Sequence, residues 1–142
     1  MGKEIPDNAV FSKENGSIII VVATDAPLLP HQLKRLARRA ALGLARTGSI
    51  SGNGSGDLFL AFSTANPNVA NPDKITHSVE TIPNDRLDPI FEAVVQATEE
   101  SIVNVLVDNH SMTGADGHHV DALPHERVRE VLKKYNRAGQ SN

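Results

Sequence analysis

The chain has 142 residues, of which 39% are hydrophobic and 22% charged, and its formal net charge is −3. This length suits a single domain, and the composition excludes disorder throughout the chain. The negative charge disfavours nucleic acid or an anionic membrane as a partner, and the lack of cysteine excludes a disulfide framework, a thiol nucleophile and a thiolate metal site.

Residues 1–16 mix polar residues, proline and glycine with scattered apolar positions, which is typical of a tail or loop. They lack the apolar stretch of a signal peptide. The longest apolar runs, Ile18–Ala23 and Leu58–Phe62, are far shorter than the roughly 20 residues that span a bilayer. We therefore expect a soluble, cytoplasmic protein without a transmembrane segment.

The run Ile18–Ala23 is rich in β-branched residues and does not alternate with polar ones, which predicts a central strand buried on both faces. From Leu33 to Leu44 the apolar positions recur at helical spacing and predict an amphipathic helix. Its opposite face is basic, and in an acidic chain we interpret that face as solvated rather than as a phosphate-binding stripe. The basic residues are Lys34, Arg35, Arg38 and Arg39.

A loop rich in glycine and serine, Gly48–Asp57, follows the helix and leads into a second buried strand, Leu58–Phe62. A phosphate-binding loop has the opposite order, from strand through glycines into a helix, and ends in Gly-Lys-Ser/Thr. This loop has neither feature, so we exclude a nucleotide-binding loop here.

The segment Thr64–Asp85 is polar and interrupted by prolines, with one short strand predicted over Thr76–Thr81. Asp88-Pro89 suits the start of a long helix that ends near Asn109. A last helix is predicted with Pro124 as its first residue.

Gly16-Ser17 stands where the polar tail meets the first strand. If the bond between them were cut, Ser17 would carry a free α-amine beside its hydroxyl, and the reference pKa of such an amine is about 7.7–8.0. That amine can act as a general base for the hydroxyl, and Gly16 would ease attack of Ser17 Oγ on its own upstream carbonyl. A Gly-Ser pair alone is more often an ordinary end of a loop, so the pair gains meaning only from the sequence around it.

Three blocks of sequence, in a fixed order, carry a resemblance that covers Ser17 to about Tyr135. They are Asn15–Leu28, Gly52–Asp57, and Met112–Gly114 together with Ala122–Pro124. In these blocks the chain resembles the β-chain of the L-aminopeptidase/D-esterase and β-peptidyl aminopeptidase family of self-processing N-terminal-nucleophile hydrolases.

The resemblance implies a fold, an activity and a set of catalytic residues. The fold would be α/β, a layered αββα sandwich of which this chain forms the β-chain part. The activity would be release of an N-terminal residue from short peptides, amides or esters through an acyl-enzyme, with no metal or organic cofactor. Ser17 would be the nucleophile after cleavage at Gly16, assisted by Ser55 and Asp57. Family members have glutamate at the acid position, so Asp57 is one methylene shorter.

The spacing of these residues is also physically sensible. Ser55 and Asp57 are two apart at a loop-to-strand junction, so in extended backbone their side chains share a face. If the strands Leu58–Phe62 and Ile18–Ala23 pair, Asp57 can stabilise the charged amine of Ser17. Gly54 and Gly56 would let a substrate approach closely, and backbone N–H groups of this loop can help to stabilise an oxyanion.

Precursors in this family carry a long α-chain before the cleavage point, whereas sixteen residues precede Ser17 here. The resemblance therefore implies an α-chain partner, from the same precursor or supplied separately, and a homo-oligomer. Residues 1–16 would be a tail or the end of the α-chain, and 17–142 a single catalytic α/β domain. Two alternatives remain open: a self-processing N-acyltransferase of related fold, and an inactive interaction fragment.

A second group of polar residues lies near the C-terminus, where a metal site is conceivable. Neighbouring histidines in a loop usually point apart, and the chain has no helical His-Glu-x-x-His pair, so we favour an exposed surface loop. The residues concerned are His110, Asp116, His118, His119, Asp121 and His125.

Overall fold

A computed structural model describes residues 16–137 and Gly139, so the predicted tail of residues 1–15 lies outside the described part. Two compact units divide the chain, one up to Glu99 and the other from Glu100 onward. The single domain predicted over 17–142 stays a prediction. The helices and strands, in order, are β1 Ile19–Thr24, α1 Pro30–Arg46, β2 Leu58–Ser63, α2 Asp88–Asp108, β3 Met112–Thr113, β4 His119–Val120 and α3 His125–Lys134.

Strands β1 and β2 pair in parallel, with Ile19 opposite Leu58 and Thr24 opposite Ser63. Two parallel strands need a long crossover connection, and helix α1 provides it. The apolar runs predict both strands and the helical spacing predicts the amphipathic helix, and the observed bounds confirm these elements to within a few residues.

One face of the sheet packs on helix α1 and on the first turns of α2. The strands contribute Ile20, Val22, Phe59 and Ala61 to this face, and each of them is partly buried against the core. Burial of these aliphatic and aromatic groups is the main source of stability in the first unit. The core itself consists of Leu28, Leu36, Ala40, Leu87, Phe91 and Val94.

The opposite face of the sheet is open in the described part of the chain, which corrects the prediction of strands buried on both faces. Ile19 is 71% exposed and Leu58 is 62% exposed. Strand β1 also has only β2 as a partner among the described residues, so it is not central there. The apolar character of both faces remains, and it calls for a second layer that these residues do not supply.

The predicted strand over Thr76–Thr81 is wrong, because the described chain has no strand in this segment. Here a side chain takes the place of a neighbouring strand. Asn66 Oδ1 accepts a hydrogen bond from the Glu80 backbone N–H at 2.9 Å, and Asn66 Nδ2 donates to the Glu80 carbonyl at 3.2 Å. The backbone of Glu80 is therefore satisfied without a ladder of backbone hydrogen bonds.

Helices α1 and α2 approach each other closely at Gly43. A Cβ atom at this position would lie 2.5 Å from the Val95 carbonyl oxygen and 2.6 Å from Thr98 Cβ. Because one of these neighbours is backbone and Thr98 is itself buried, neither can move aside cheaply.

We expect Gly43→Ala to destabilise the protein by roughly 1–2 kcal/mol, since an overpacking cost of up to about 3 kcal/mol exceeds the gain in helix propensity of about 1 kcal/mol. Thermal unfolding should show a midpoint lower by several degrees. Leu42→Ala changes the exposed side of the same helix and serves as the control. A Gly43→Ala protein as stable as wild type would contradict this account of the packing.

The second unit is built from the last turns of α2, the short hairpin β3–β4 and helix α3. In the hairpin, Met112 pairs with Val120 and Thr113 with His119 in antiparallel order. Helix α3 begins at His125, one residue after the predicted Pro124. Among the residues that the structure describes, no helix combines the length and apolar character needed to cross a membrane.

Candidate active site

The residues before β1 and β2 lie side by side because the two strands start in register. The Leu58 backbone N–H donates to the Ile18 carbonyl at 3.0 Å, and Ile19 is paired with Leu58. The end of the glycine-rich loop is therefore held next to Ser17. This arrangement confirms the pairing on which the predicted convergence of Ser17 and Asp57 depends.

Ser17 is exposed, and its side chain is fixed by the loop opposite. The backbone N–H of Gly56 donates a hydrogen bond to Ser17 Oγ at 2.9 Å. A Cβ atom at Gly56 would lie 3.5 Å from the same oxygen, which is an ordinary contact. The approach to Ser17 therefore does not require glycine at this position, and the group that the loop contributes is its backbone N–H.

Asp57 is surrounded by hydrogen-bond donors. Its Oδ1 accepts from Ser55 Oγ at 2.6 Å and from the Ile18 backbone N–H at 3.0 Å, and its Oδ2 accepts from Ser51 Oγ at 3.3 Å. The Ser55 hydroxyl, and after it the Ile18 N–H, lower the pKa of Asp57 below its usual value. Asp57 is therefore a carboxylate at neutral pH.

The predicted partners thus form a chain of contacts. Ser55 donates to Asp57, and Asp57 holds the backbone directly after Ser17. No direct hydrogen bond between the side chains of Ser17 and Asp57 is present among the described residues. In the uncleaved chain the Ser17 nitrogen is an amide, so contact between Asp57 and a free amine belongs to the cleaved protein. The catalytic roles of Ser17, Ser55 and Asp57 stay predictions.

Gly54 lies in the exposed turn that precedes the acid. The Ser55 backbone N–H closes this turn by donating to the Gly52 carbonyl at 2.9 Å. The predicted part of Gly54 and Gly56 in binding substrate or an oxyanion stays a prediction, although the Gly56 N–H already points at Ser17 Oγ.

Sequence reasoning missed Ser51 in this site. The sequence pattern places Ser51 only in the loop before β2, but its hydroxyl contacts Asp57 and its backbone has a φ of 47°. Spacing does not reveal such a contact, because the loop turns back on itself between the two residues. Only the conformation of the loop brings them together.

The polar residues near the C-terminus are exposed, as expected for a surface loop. Thr113 Oγ1 lies 2.9 Å from His119 Nδ1, and His119 Nε2 lies 3.2 Å from Asp121 Oδ1. Within residues 16–137 and Gly139, no group of three or more His, Asp or Glu side chains is arranged to hold a metal ion. The exposed residues are His110, Asp116, His118, His119, Asp121 and His125.

Comparison with known proteins places this geometry in a family. The model of Peptidase family S58 matches residues 1–120. The beta-peptidyl aminopeptidase BapA of Sphingosinicella microcystinivorans is 59% identical over 123 residues, which make up 87% of this chain and 31% of that protein. A second BapA, from Sphingosinicella xenopeptidilytica, is 44% identical and is covered over 30% of its length.

Two solved structures are similar in fold as well as in sequence. The L-aminopeptidase D-Ala-esterase/amidase of Ochrobactrum anthropi aligns with a TM-score of 0.75 and 45% identity, over 89% of this chain and 36% of that one. The β-aminopeptidase of Burkholderia sp. aligns with a TM-score of 0.72 and 37% identity, over 94% of this chain and 38% of that one.

The chain spans about a third of the length of these relatives. The Ochrobactrum enzyme is described as a variant of the Ntn (N-terminal nucleophile) hydrolase fold, so the predicted fold class is confirmed for the part that this chain contributes. The resemblance drawn from the three sequence blocks is confirmed too. Since the family model matches well over half of its residues, this chain belongs to peptidase family S58.

Proposed function

We propose that this chain, assembled with an α-chain, is the β-chain of a serine aminopeptidase that also acts on amides and esters. The observation that carries the proposal is the 2.9 Å hydrogen bond from the Gly56 N–H to Ser17 Oγ. This hydrogen bond holds the hydroxyl oxygen next to the loop that ends at Asp57, and it leaves the hydroxyl proton available to a base. The names of the relatives, which include an aminopeptidase with esterase and amidase activity, support the same chemistry.

The first step is self-cleavage at Gly16-Ser17. Ser17 Oγ attacks the Gly16 carbonyl carbon, the hydroxyl proton passes to the Ser17 nitrogen, and the bond from that carbon to the nitrogen breaks, which leaves a free amine and an ester of Gly16 on Oγ. Water then hydrolyses the resulting ester, which leaves a carboxylate on Gly16 and restores the hydroxyl. The products are a new C-terminus and a chain that begins with Ser17.

Turnover uses the same oxygen. The free amine of Ser17 takes the proton from Oγ, and Oγ attacks the carbonyl of the substrate's N-terminal residue. The departing amine or alcohol takes the proton, and water hydrolyses the acyl-enzyme. Asp57, ionised and 3.0 Å from the neighbouring Ile18 N–H, stabilises the charged amine, with Ser55 orienting the carboxylate.

The α-chain would cover the open face of the sheet. This face presents a row of large apolar side chains from both strands, and monomeric proteins rarely leave a contiguous patch of that kind in water. A homo-oligomer of the assembled protein would cover further apolar surface. The exposed side chains are Ile19, Val21, Leu58, Leu60 and Phe62.

To test this proposal, the chain is produced with and without the α-chain of an S58 relative. Intact mass, light scattering and amide hydrolysis are then compared between the two preparations. We expect the assembled protein to contain a chain that begins at Ser17, to scatter as an oligomer and to release N-terminal residues from amides. The chain without the α-chain should be inactive.

Four outcomes would contradict the proposal. Full activity with the Gly16-Ser17 bond intact would exclude the free amine as the base. Full activity of a monomer of this chain alone would show that no α-chain is needed. An assembled protein that transfers acyl groups to added amines but does not hydrolyse amides would be an acyltransferase, and one that neither cleaves nor turns over would be an interaction fragment.

A further inference from the structure

Ser51 adopts an unusual backbone conformation for its residue type. The described non-glycine residues with positive φ are Ser51 at 47°, Asp116 at 57° and Asn136 at 53°. Apart from glycine, asparagine and aspartate visit this left-handed region most readily, whereas serine does so less often. Such conformations persist where surrounding contacts hold them, and they concentrate at functional sites.

The contacts of Ser51 explain how the conformation is held. Its backbone N–H donates to Ser49 Oγ at 3.1 Å, and its own hydroxyl donates to Asp57 Oδ2 at 3.3 Å. The turn at Ser51 thus directs the hydroxyl towards a carboxylate six residues later. The loop before β2 is therefore tied by a hydrogen bond to Asp57, the acid of the candidate active site.

The two oxygens of Asp57 have different partners. Oδ1 already accepts two hydrogen bonds, from Ser55 and from the Ile18 N–H, which fill its two lone pairs. Oδ2 accepts from Ser51 and retains a second lone pair. That lone pair is the place where Asp57 can accept a further hydrogen bond, such as one from the ammonium group of a cleaved Ser17.

The direction of this lone pair depends on the plane of the carboxylate. The terminal torsion of aspartate is soft, and rotation about the Cβ–Cγ bond moves both oxygens together. The two donors on Oδ1 oppose this rotation from one side of the carboxylate, and Ser51 opposes it from the other, at Oδ2. We propose that Ser51 is a positioning residue that fixes the carboxylate plane of Asp57, so that Oδ2 is aimed for the amine of Ser17.

This inference rests on the proposed function, but its test has a readout that does not. Ser51→Gly removes the hydroxyl and makes the left-handed backbone conformation easier to adopt. Ser51→Ala also removes the hydroxyl, but its Cβ keeps the free-energy cost of that conformation. The control is Asn136→Gly, which removes a side chain at another position of positive φ outside the site. All are made in the protein assembled with its α-chain.

We expect kcat to fall about tenfold in both Ser51 variants with KM unchanged, since one hydrogen bond to a charged group is lost. Carbon-13 NMR of the Asp57 carboxyl, assigned with an Asp57→Asn protein, should show titration at a higher pH in both variants, because a donor that stabilises the charged form is gone. Asn136→Gly should change neither measurement.

The inference is overturned if the Asp57 titration is unchanged in both Ser51 variants, because the hydroxyl then does not hold the carboxylate. It is also overturned if the titration moves and kcat does not, because the contact then has no part in positioning for catalysis. A wild-type assembly without hydrolytic activity would refute the proposed function instead, and the titration alone would then decide whether Ser51 holds Asp57.

Discussion

Ser17→Ala should abolish both cleavage of the chain and hydrolysis of substrate. Alanine has no oxygen to attack the Gly16 carbonyl, so the chain keeps its amide bond and never exposes the amine. It also provides no nucleophile for substrate. Intact mass would then show the uncleaved chain, and amide and ester hydrolysis would fall to background. Activity near the wild-type level in this variant would contradict the assignment of Ser17 as nucleophile.

Two further variants separate loss of chemistry from loss of structure. Ser17→Thr and Ser17→Cys retain a nucleophilic atom near the Gly56 N–H, so we expect both to keep part of the self-cleavage. Ser78→Ala, at an exposed serine in the polar segment, should cleave and hydrolyse like wild type. Light scattering should show that Ser17→Ala still assembles with the α-chain, since Ser17 is exposed and contributes nothing to the core.

The first unit was largely predictable from sequence because its packing follows regular periods. The apolar positions of α1 face one core, and Leu36 and Ala40 are fully buried there. The strands β1 and β2 were recognisable as short apolar runs. Elements of this kind are specified by local pattern, and their tertiary contacts agree with that pattern.

What the pattern did not reveal is whether both faces of β1 are covered within the chain. Ile20 and Val22 pack on the core, whereas Val21 is 56% exposed. A run of apolar residues indicates that both faces of a strand will be buried, but it does not indicate which polypeptide packs against each face. The local pattern also failed to predict the structure of Thr76–Thr81. There the side chain of Asn66, fourteen residues before Glu80, satisfies the backbone of Glu80.

In the candidate site, too, some contacts were predictable from the sequence and others were not. The resemblance implied a joint role for Ser55 and Asp57, the spacing of two predicted that their side chains share a face, and Ser55 Oγ lies 2.6 Å from Asp57 Oδ1. Ser51 and the Gly56 N–H were not identifiable as contacts of particular atoms, because each depends on the path of an irregular loop. The relation of Ser55 to Asp57 is predictable because they are two residues apart just before β2, whereas the contact of Ser51 with Asp57 depends on how the whole loop folds.

The charge of Asp57 should matter more than its size. In Asp57→Asn the side chain loses its negative charge and one acceptor oxygen, while the three donors that face it remain. We expect kcat to fall by roughly a hundredfold or more, as is typical when a positioned electrostatic group is removed. In Asp57→Glu the negative charge remains and the side chain is one methylene longer, so much of the activity should persist.

These two variants are compared with Asp73→Asn, which neutralises an exposed aspartate in the polar segment and should leave kcat unchanged. Intact mass is measured in parallel, because a defect in cleavage would lower kcat indirectly by leaving the Ser17 amine blocked. If Asp57→Asn cleaves normally but turns over slowly, the carboxylate acts in catalysis itself. Equal and small losses in the asparagine and glutamate variants would assign Asp57 to the structure of the loop, since its hydrogen bonds to Ser55, Ile18 and Ser51 would then matter and its charge would not.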